Sequence, residues 1–502
     1  MVSLRQAAIY GMVFTSATLI GYDSGYLNGV LGSPDFIRRY GVTDREDGTM
    51  YLAPRTKSLF TSLLVIGTLI GSMLAMFKSD RIGRKGSFFL AAILYAIGAS
   101  LQTAAPPPGV FILGRIFTGL ALGLISIVSP SYLVESSTGT SRGRLVALYS
   151  QPLTGGNVIA CGISLGTKHL AGANSWRITI AFQLILVLAV FLGALFAPES
   201  PVLLLQRTNP SAARHSLSIL RNLPASSAAI DQALQEIQTS ISERDSLGHP
   251  HLAEIFHGTD LRRTLLGTAM GFMTIATGIT FWFGYGTTFF KAAGVQNAYL
   301  VSLILALVNA IFTGRSVDAC LLWGGGIMGI TQIVVAVIHT VSPDTAADHN
   351  SLIVCTVVFI AAYAATWGTV GWVTMTEPYS TRLRIHQTTI TMVVYWLSTW
   401  AVGFVTPYIV DATAADLGVY ISYVWFGMVV LSLAWAYVFV PELSGLSTPE
   451  IDLLFEDQVP AWKSVAWKRS LGSISIDGQE LQKPVTEGSV SRGSIEKGKV
   501  DV

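Results

Sequence analysis

Asp23 stands inside an otherwise apolar run over residues 7–31, and a carboxylate in that position is the most pointed chemical feature of the chain. A charged side chain within a span costs about 2.5–3.5 kcal/mol on insertion scales, so it tends to face a cavity or a partner. The approach and withdrawal of a guanidinium could then switch its protonation; the alternative is a static structural ion pair. A second set of charges gathers where apolar runs end: Asp80, Arg81, Arg84, Glu135, Arg142, Glu199, Glu377, Arg384 and Glu442. Partly exposed ion pairs are worth about 0–1 kcal/mol each, so contacts among these charges would break easily. Solvated helix ends would explain the arginines but not the glutamates, which recur. No nucleophile, metal cluster or phosphate loop occurs in the apolar runs, so neither an enzyme nor a cofactor is expected. Cys161, Cys320 and Cys355 all sit in apolar runs, outside any disulfide or zinc spacing.

The elements that must carry these charges are membrane spans. Of 502 residues 51% are hydrophobic and only 12% charged, against roughly 25% charged in a soluble domain. With about 20 apolar residues per crossing, six spans fall near 7–31, 58–77, 86–104, 110–134, 144–166 and 174–197. After a polar stretch, six more fall near 265–290, 297–313, 319–340, 351–375, 388–410 and 417–440. Lys78, Arg81, Arg84, Lys85, Arg142, Arg144, Arg382 and Arg384 lie in short loops on one side, which the positive-inside rule makes cytoplasmic, together with both termini. A net charge of +2 gives no reason to expect nucleic acid as a partner.

The two sets of six repeat. Glu135 and Arg142 are seven residues apart, as are Glu377 and Arg384, and Pro198-Glu199 is echoed by Pro441-Glu442, all at an offset of 242 or 243 residues. Two six-helix halves repeated about an axis along the membrane normal form the major facilitator plan, with substrate bound near the midplane between them. The expected fold is an all-α membrane protein with twelve transmembrane helices in two halves and a small cytoplasmic helical insert. Its expected divisions are 1–197, 198–264, 265–440 and 441–502, the last a mostly disordered cytoplasmic tail.

From Gly21 to Glu456 the chain resembles the sugar porter family of the major facilitator superfamily, notably fungal hexose and quinate carriers. The resemblance rests on Gly21-Tyr22-Asp23, Asp80-Arg81-Ile82-Gly83-Arg84-Lys85, Gly114-Arg115, Pro130 to Glu135 with Arg142-Gly143, Pro198-Glu199-Ser200-Pro201 and Pro441-Glu442. It implies a carrier that works by alternating access on a sugar or related polyhydroxylated molecule, with protons, as a monomer in the plasma membrane. It also implies that Asp23 accepts the proton while Arg115 pairs with the ionised form, and that the charges at the helix ends close an inner gate.

Sugar recognition needs buried hydrogen-bonding groups around an apolar platform. Set against the family, the glutamine of span five falls on Ser150, with Gln151 beside it, and a second polar site falls on Asn157. The two glutamines of span seven fall on Thr274 and Ile275, the following asparagine on Thr280, and the amide of span eleven on Tyr395. Asn309 and Trp372 match. Most amide ligands are thus replaced, which implies an altered pocket, for a bulkier or less polar substrate or for none transported. Thr274, Thr280 and Ser150 could instead satisfy helix carbonyls, and Trp372 could be packing.

Between spans eight and nine, Gly314-Arg315-Ser316-Val317-Asp318 stands where the repeat predicts an Asp-Arg-x-Gly-Arg loop, about seven residues too short. Either span eight is short and distorted or an exon boundary was misread. Ile230, Leu234, Ile237 and Ile241 mark a buried helix face in the middle loop. After Pro460, the group Trp462, Lys463, Trp467, Lys468 and Arg469 could lie on the inner leaflet. The competing function is a carrier-like sensor that binds sugar and signals, for which this tail is modest in length.

Overall fold

The structure is a computed structural model, and it describes residues 4–43, 48–104, 107–137, 139–246, 252–313, 321–343, 345–375, 377–380, 382–411, 413–444, 446 and 448–469. In chain order the helices are α1 (Leu4–Leu31), α2 (Pro34–Tyr40), α3 (Pro54–Ile82), α4 (Arg84–Thr103), α5 (Pro108–Ser136), α6 (Gly139–Thr167) and α7 (Asn174–Phe196). There follow α8 (Pro201–Gln206), α9 (Pro210–Arg221), α10 (Ala228–Ser246), α11 (Gly258–Ala276), α12 (Ile279–Ala292), α13 (Ala298–Phe312) and α14 (Leu321–Val341). The last are α15 (Ala346–Ala365), α16 (Trp367–Thr374), α17 (Arg384–Val410), α18 (Ile421–Phe439) and α19 (Thr448–Glu456). A two-stranded antiparallel ribbon pairs Val42 with Tyr51 between α2 and α3.

Nine of these segments are long and apolar enough to cross a membrane among the described residues, and α1, α6 and the shorter α13 complete two sets of six. The first half is α1 and α3 to α7. In the second, two spans are each built from two helices, α11 with α12 and α15 with α16, joined by α13, α14, α17 and α18. At α13 the crossing is only 15 residues long, or about 22 Å at 1.5 Å per residue. The segment Gly314 to Asp318 lies outside the described residues.

Many helix starts are written into the sequence by proline, whose missing N–H is no loss in the first turn: Pro34, Pro54, Pro108, Pro201 and Pro210 all stand there. In lipid, helices associate through close backbone approach at small residues. Helices α3 and α5 do so through Gly71 and Gly123, where an added Cβ would come 2.2 Å from the carbonyl oxygens of Leu120 and Thr68. The break between α11 and α12 falls at Gly278, whose φ of +89° places it in the left-handed region. The ring of Trp425 lies over it, 2.6 Å from where a Cβ would stand.

The middle insert is helical. Leu217 of α9 packs with Ile230 and Ala233 of α10, joined by Leu234 and Ile237, and Arg214 pairs with Asp231 at 2.6 Å. Ser216 donates to the carbonyl of Glu199 and Gln6 to that of Leu220, fastening the insert to the first half.

Candidate functional site

Asp23 and Arg115 meet in the interior of the first half. The Arg115 Nη1 donates to Asp23 Oδ1 at 3.1 Å and Oδ2 at 3.4 Å, and the two side chains are only 2% and 1% exposed. Such a pair is held by further hydrogen bonds or not at all, because desolvation otherwise outweighs attraction. Here Arg115 also donates to Tyr26 Oη at 2.6 Å and, through Nε, to the carbonyl of Phe60 at 2.9 Å. Tyr26 in turn donates to Gln102 Oε1 at 2.6 Å. Tyr26 lies one turn beyond Asp23 on α1, and Gln102 ends α4. Neither was marked by the sequence reading, although the spacing of three from Asp23 to Tyr26 puts both on one helix face.

The charges at helix ends form a compact cluster in the first half. Arg84 grips Glu135 with two parallel bonds, Nη2 to Oε1 at 2.9 Å and Nε to Oε2 at 3.2 Å, while its Nη1 donates to Asp80 at 2.8 Å and Ser79 at 2.7 Å. This forked geometry is what a guanidinium supplies and an ammonium does not. Glu199 reaches the start of α4, where its carboxylate accepts the backbone N–H of Arg84 at 2.7 Å and of Lys85 at 3.4 Å. An anion is favoured at that end of a helix. Gly83, with φ of +94°, must be glycine because a Cβ would fall 2.2 Å from Glu199 Oε2. Arg81 is exposed, and the carbonyls of Asp80 and Arg81 accept from Arg207. The side chain of Arg142 lies outside what the structure describes.

The second half lacks this compactness. Glu377 and Arg384 are exposed, Arg384 donates to the Tyr379 carbonyl at 3.4 Å, and exposed Glu442 accepts the N–H of Ser444 at 3.1 Å. Desolvation raises the Glu377 carboxyl above its usual range, with Arg384 pulling it down. Ion pairs the sequence did not mark stand here instead: Arg263 with Asp452 at 2.5 Å, and Arg382 with Glu254.

The residues matched to sugar ligands divide. Trp372 of α16 and Tyr395 of α17 come together, ring centroids 5.1 Å apart, with Trp372 41% exposed. Gln151 donates to the carbonyl of Thr313 at 2.5 Å, so the amide of one half satisfies the end of short α13 in the other. Asn309, half-buried, gives its own carbonyl to the N–H and hydroxyl of Thr313 at 2.9 and 2.8 Å. Asn157 is buried against α1, where a Cβ on Gly25 would meet its Oδ1, and it accepts from Cys161. Thr274 of α11 is fully buried against Gly371 of α16 and spends its hydroxyl on the Met270 carbonyl at 2.8 Å. Ser150 and Thr280 are half-buried, and the Ser150 carbonyl accepts from Thr154 at 3.3 Å.

The halves are fastened to each other at the end opposite the charge cluster. Lys57 Nζ of α3 pairs with Asp411 after α17 at 2.7 and 2.9 Å, and Ser58 donates to the Phe404 carbonyl at 2.7 Å. Asn28 Oδ1 accepts the Thr287 N–H at 2.8 Å, while Lys291 and Tyr299 donate to Gly32 and Gly29 carbonyls at 2.6 and 3.0 Å. At the charged end the Arg84 pairs lie within the first half and Arg263–Asp452 within the second, while Arg382–Glu254 joins the second half to the middle insert. Lys57 and Asp411 were not marked in the sequence, where Lys57 stands in a stretch, 32–57, that mixes Arg38, Arg39, Arg45 and Arg55 with Asp35, Asp44, Glu46 and Asp47. Each nonetheless stands directly at the end of an apolar run.

Two six-helix halves around a shared interface, latched at one end and carrying a buried ion pair in the first half, define a multi-pass membrane carrier of the major facilitator class. The chain belongs to the sugar transporter family: the family model described as "Sugar (and other) transporter" matches residues 8–455. Among curated relatives it is 33% identical over 481 residues to the major facilitator-type transporter ecdD of Aspergillus rugulosus, covering 92% of this chain and 89% of that one. It is 32% identical to the high glucose sensor RGT2 of Saccharomyces cerevisiae, covering 90% of this chain but 61% of the sensor. In fold it is similar to the inward open conformation of the xylose transporter XylE from E. coli, with a TM-score of 0.73 at 22% identity over 89% of this chain and 99% of that one.

Proposed function

We propose that the protein carries a sugar or a related polyhydroxylated small molecule across the plasma membrane by alternating access, coupled to protons, with its charged end and both termini in the cytoplasm. The observation that carries this reading is the buried Asp23–Arg115 pair. A carboxylate with a single guanidinium partner, held apart from water, has two usable states: ionised and paired, or protonated with the guanidinium released. Arg115 has somewhere to go when Asp23 takes a proton, since Tyr26 and the Phe60 carbonyl already hold it. The relatives named as hexose transporters, and a fold neighbour described as a proton:xylose symporter, support the same reading.

Substrate would lie between the halves, with the Trp372–Tyr395 pair as its apolar platform and Gln151, Asn157 and Asn309 nearest in type to the amides that bind hydroxyls. Tyr395 in place of an amide removes one bidentate partner and adds ring surface, so the favoured substrate is less polar or bulkier than a plain hexose. The Arg84–Glu135–Asp80 cluster would close the charged end when the halves rock together there, and the Lys57–Asp411 contact would then part. Expression in a cell without hexose carriers, followed by uptake of labelled hexoses, pentoses, polyols and quinate at two pH values, tests the reading. Acid-stimulated uptake of one of them is expected; protein at the cell surface with uptake of none would favour a sensor, the function carried by the name of the RGT2 relative.

A further inference from the structure

The stretch after α19 is folded back onto the end of the last span. Ser464 Oγ accepts the Glu442 N–H at 2.9 Å, only three residues beyond the end of α18, and Lys468 donates to the Ser444 carbonyl. Trp467, like Trp435 and Val440 at that end of α18, packs against a buried cluster that includes Leu266 of α11 and Leu454 and Phe455 of α19. Arg262 donates to the Val459 carbonyl at 2.9 Å, closing the root of the segment. The short helical turn over residues 461–469 is therefore fixed to the body through Ala461, Ser464 and Trp467.

Its other face is unlike a solvated surface. Trp462 is 54% exposed and Val465 47%, with Ala466 and Arg469 following at the spacing of one helix side and Lys463 beside them. From Val459 to Arg469 there are three basic residues and no acidic one. Phe439, the last residue of α18, is itself 56% exposed, so the apolar and basic face lies beside an exposed apolar end of the last span. An indole with an aliphatic neighbour, rimmed by cations, matches the interfacial layer of a membrane, where rings sit at the level of the headgroups.

We propose that Trp462 and Val465 insert at the headgroup level of the adjoining leaflet and that Lys463 and Arg469 bind its anionic lipids, making this turn a lipid-docking foot for the second half. The docking does not depend on what is carried. A basic residue near an anionic surface strengthens association about fivefold, so reversing both charges weakens it by at least roughly 25-fold.

The test uses the full chain reconstituted in vesicles of phosphatidylcholine alone or phosphatidylcholine with phosphatidylserine at three to one, the acyl chains brominated near the headgroup. Subtracting the emission of W462F from that of the unaltered protein isolates Trp462. Strong quenching of that difference by the mixed lipid, weaker in phosphatidylcholine alone or at high salt, is expected. K463E/R469E, which keeps Trp462 and alters only exposed side chains, should lose the dependence on phosphatidylserine while retaining uptake. Equal quenching in both lipids overturns the proposal, as does quenching by aqueous iodide with none by lipid, the result of a face left in water. A face shielded from both quenchers, as a protein partner would shield it, overturns it too.

Discussion

Opening the latched end of the bundle must first part Lys57 from Asp411. At 2.7 Å and an effective dielectric of 20, two unit charges attract by about 6 kcal/mol, an upper bound before desolvation is subtracted. The side chains are 15% and 21% exposed, so water still reaches them and the bound is not attained. A hydrogen bond between charged groups contributes about 1.5–3 kcal/mol net, and that is the scale by which the contact favours the form closed at that end. Asp411→Asn keeps the shape and removes the charge, so it should shift the balance between the two forms by roughly ten- to 150-fold toward the form open at that end. Spin labels at Arg55→Cys and Ala415→Cys, in a background without the three native cysteines, read the separation by double electron–electron resonance. A longer-distance population should grow in D411N and shrink again in the charge swap K57D/D411K. A distance distribution unchanged by D411N would refute the assignment of this contact as the latch.

Gly278→Ala forces a side chain into the left-handed region and against the Trp425 ring; a loss of about 1–3 kcal/mol is expected, read as a lower melting temperature of the purified carrier. Tyr395→Asn restores an amide beside Trp372 and should tighten hexose binding by roughly two- to tenfold, the worth of one hydrogen bond, in a competition uptake assay. Glu377 has a carboxyl raised from 4.5 by desolvation, so the folded protein holds that proton more firmly than the unfolded chain does. The stability it lends is complete below 4.5 and is lost as pH rises through the raised value. Melting curves of E377Q across that window should lack this decline, which the unaltered protein shows.

The spans, their number and the two-half repeat were legible because lipid leaves the chain little choice: each crossing must be an apolar helix, and the charges are confined to its ends or to a partner. The landmarks of the first half were equally plain, since Gly83, Arg84, Glu135 and Glu199 are fixed by contacts that tolerate almost no other residue type. The breaks at Gly278 and Thr366 were not legible, because hydropathy runs through them without interruption and a helix end inside a span is set by packing, here by the Trp425 ring. Side-chain direction was harder still. The sequence left open whether Thr274 bonds its own helix, as it does, and gave no sign that Gln151 reaches across to the other half. Lys57 and Asp411 are 354 residues apart and belong to different halves, so only the assembled bundle makes them neighbours.

The proton link at Asp23 is tested most directly by Asp23→Asn in proteoliposomes, with substrate accumulation and proton current followed on imposing an acid outside. Removing one member of a buried pair costs about 3–5 kcal/mol, so equal exchange of labelled substrate across the membrane first establishes that the variant is folded and binds. With exchange retained, loss of both acid-driven accumulation and the coupled current is the predicted result. Accumulation and current equal to those of the unaltered protein would contradict the account.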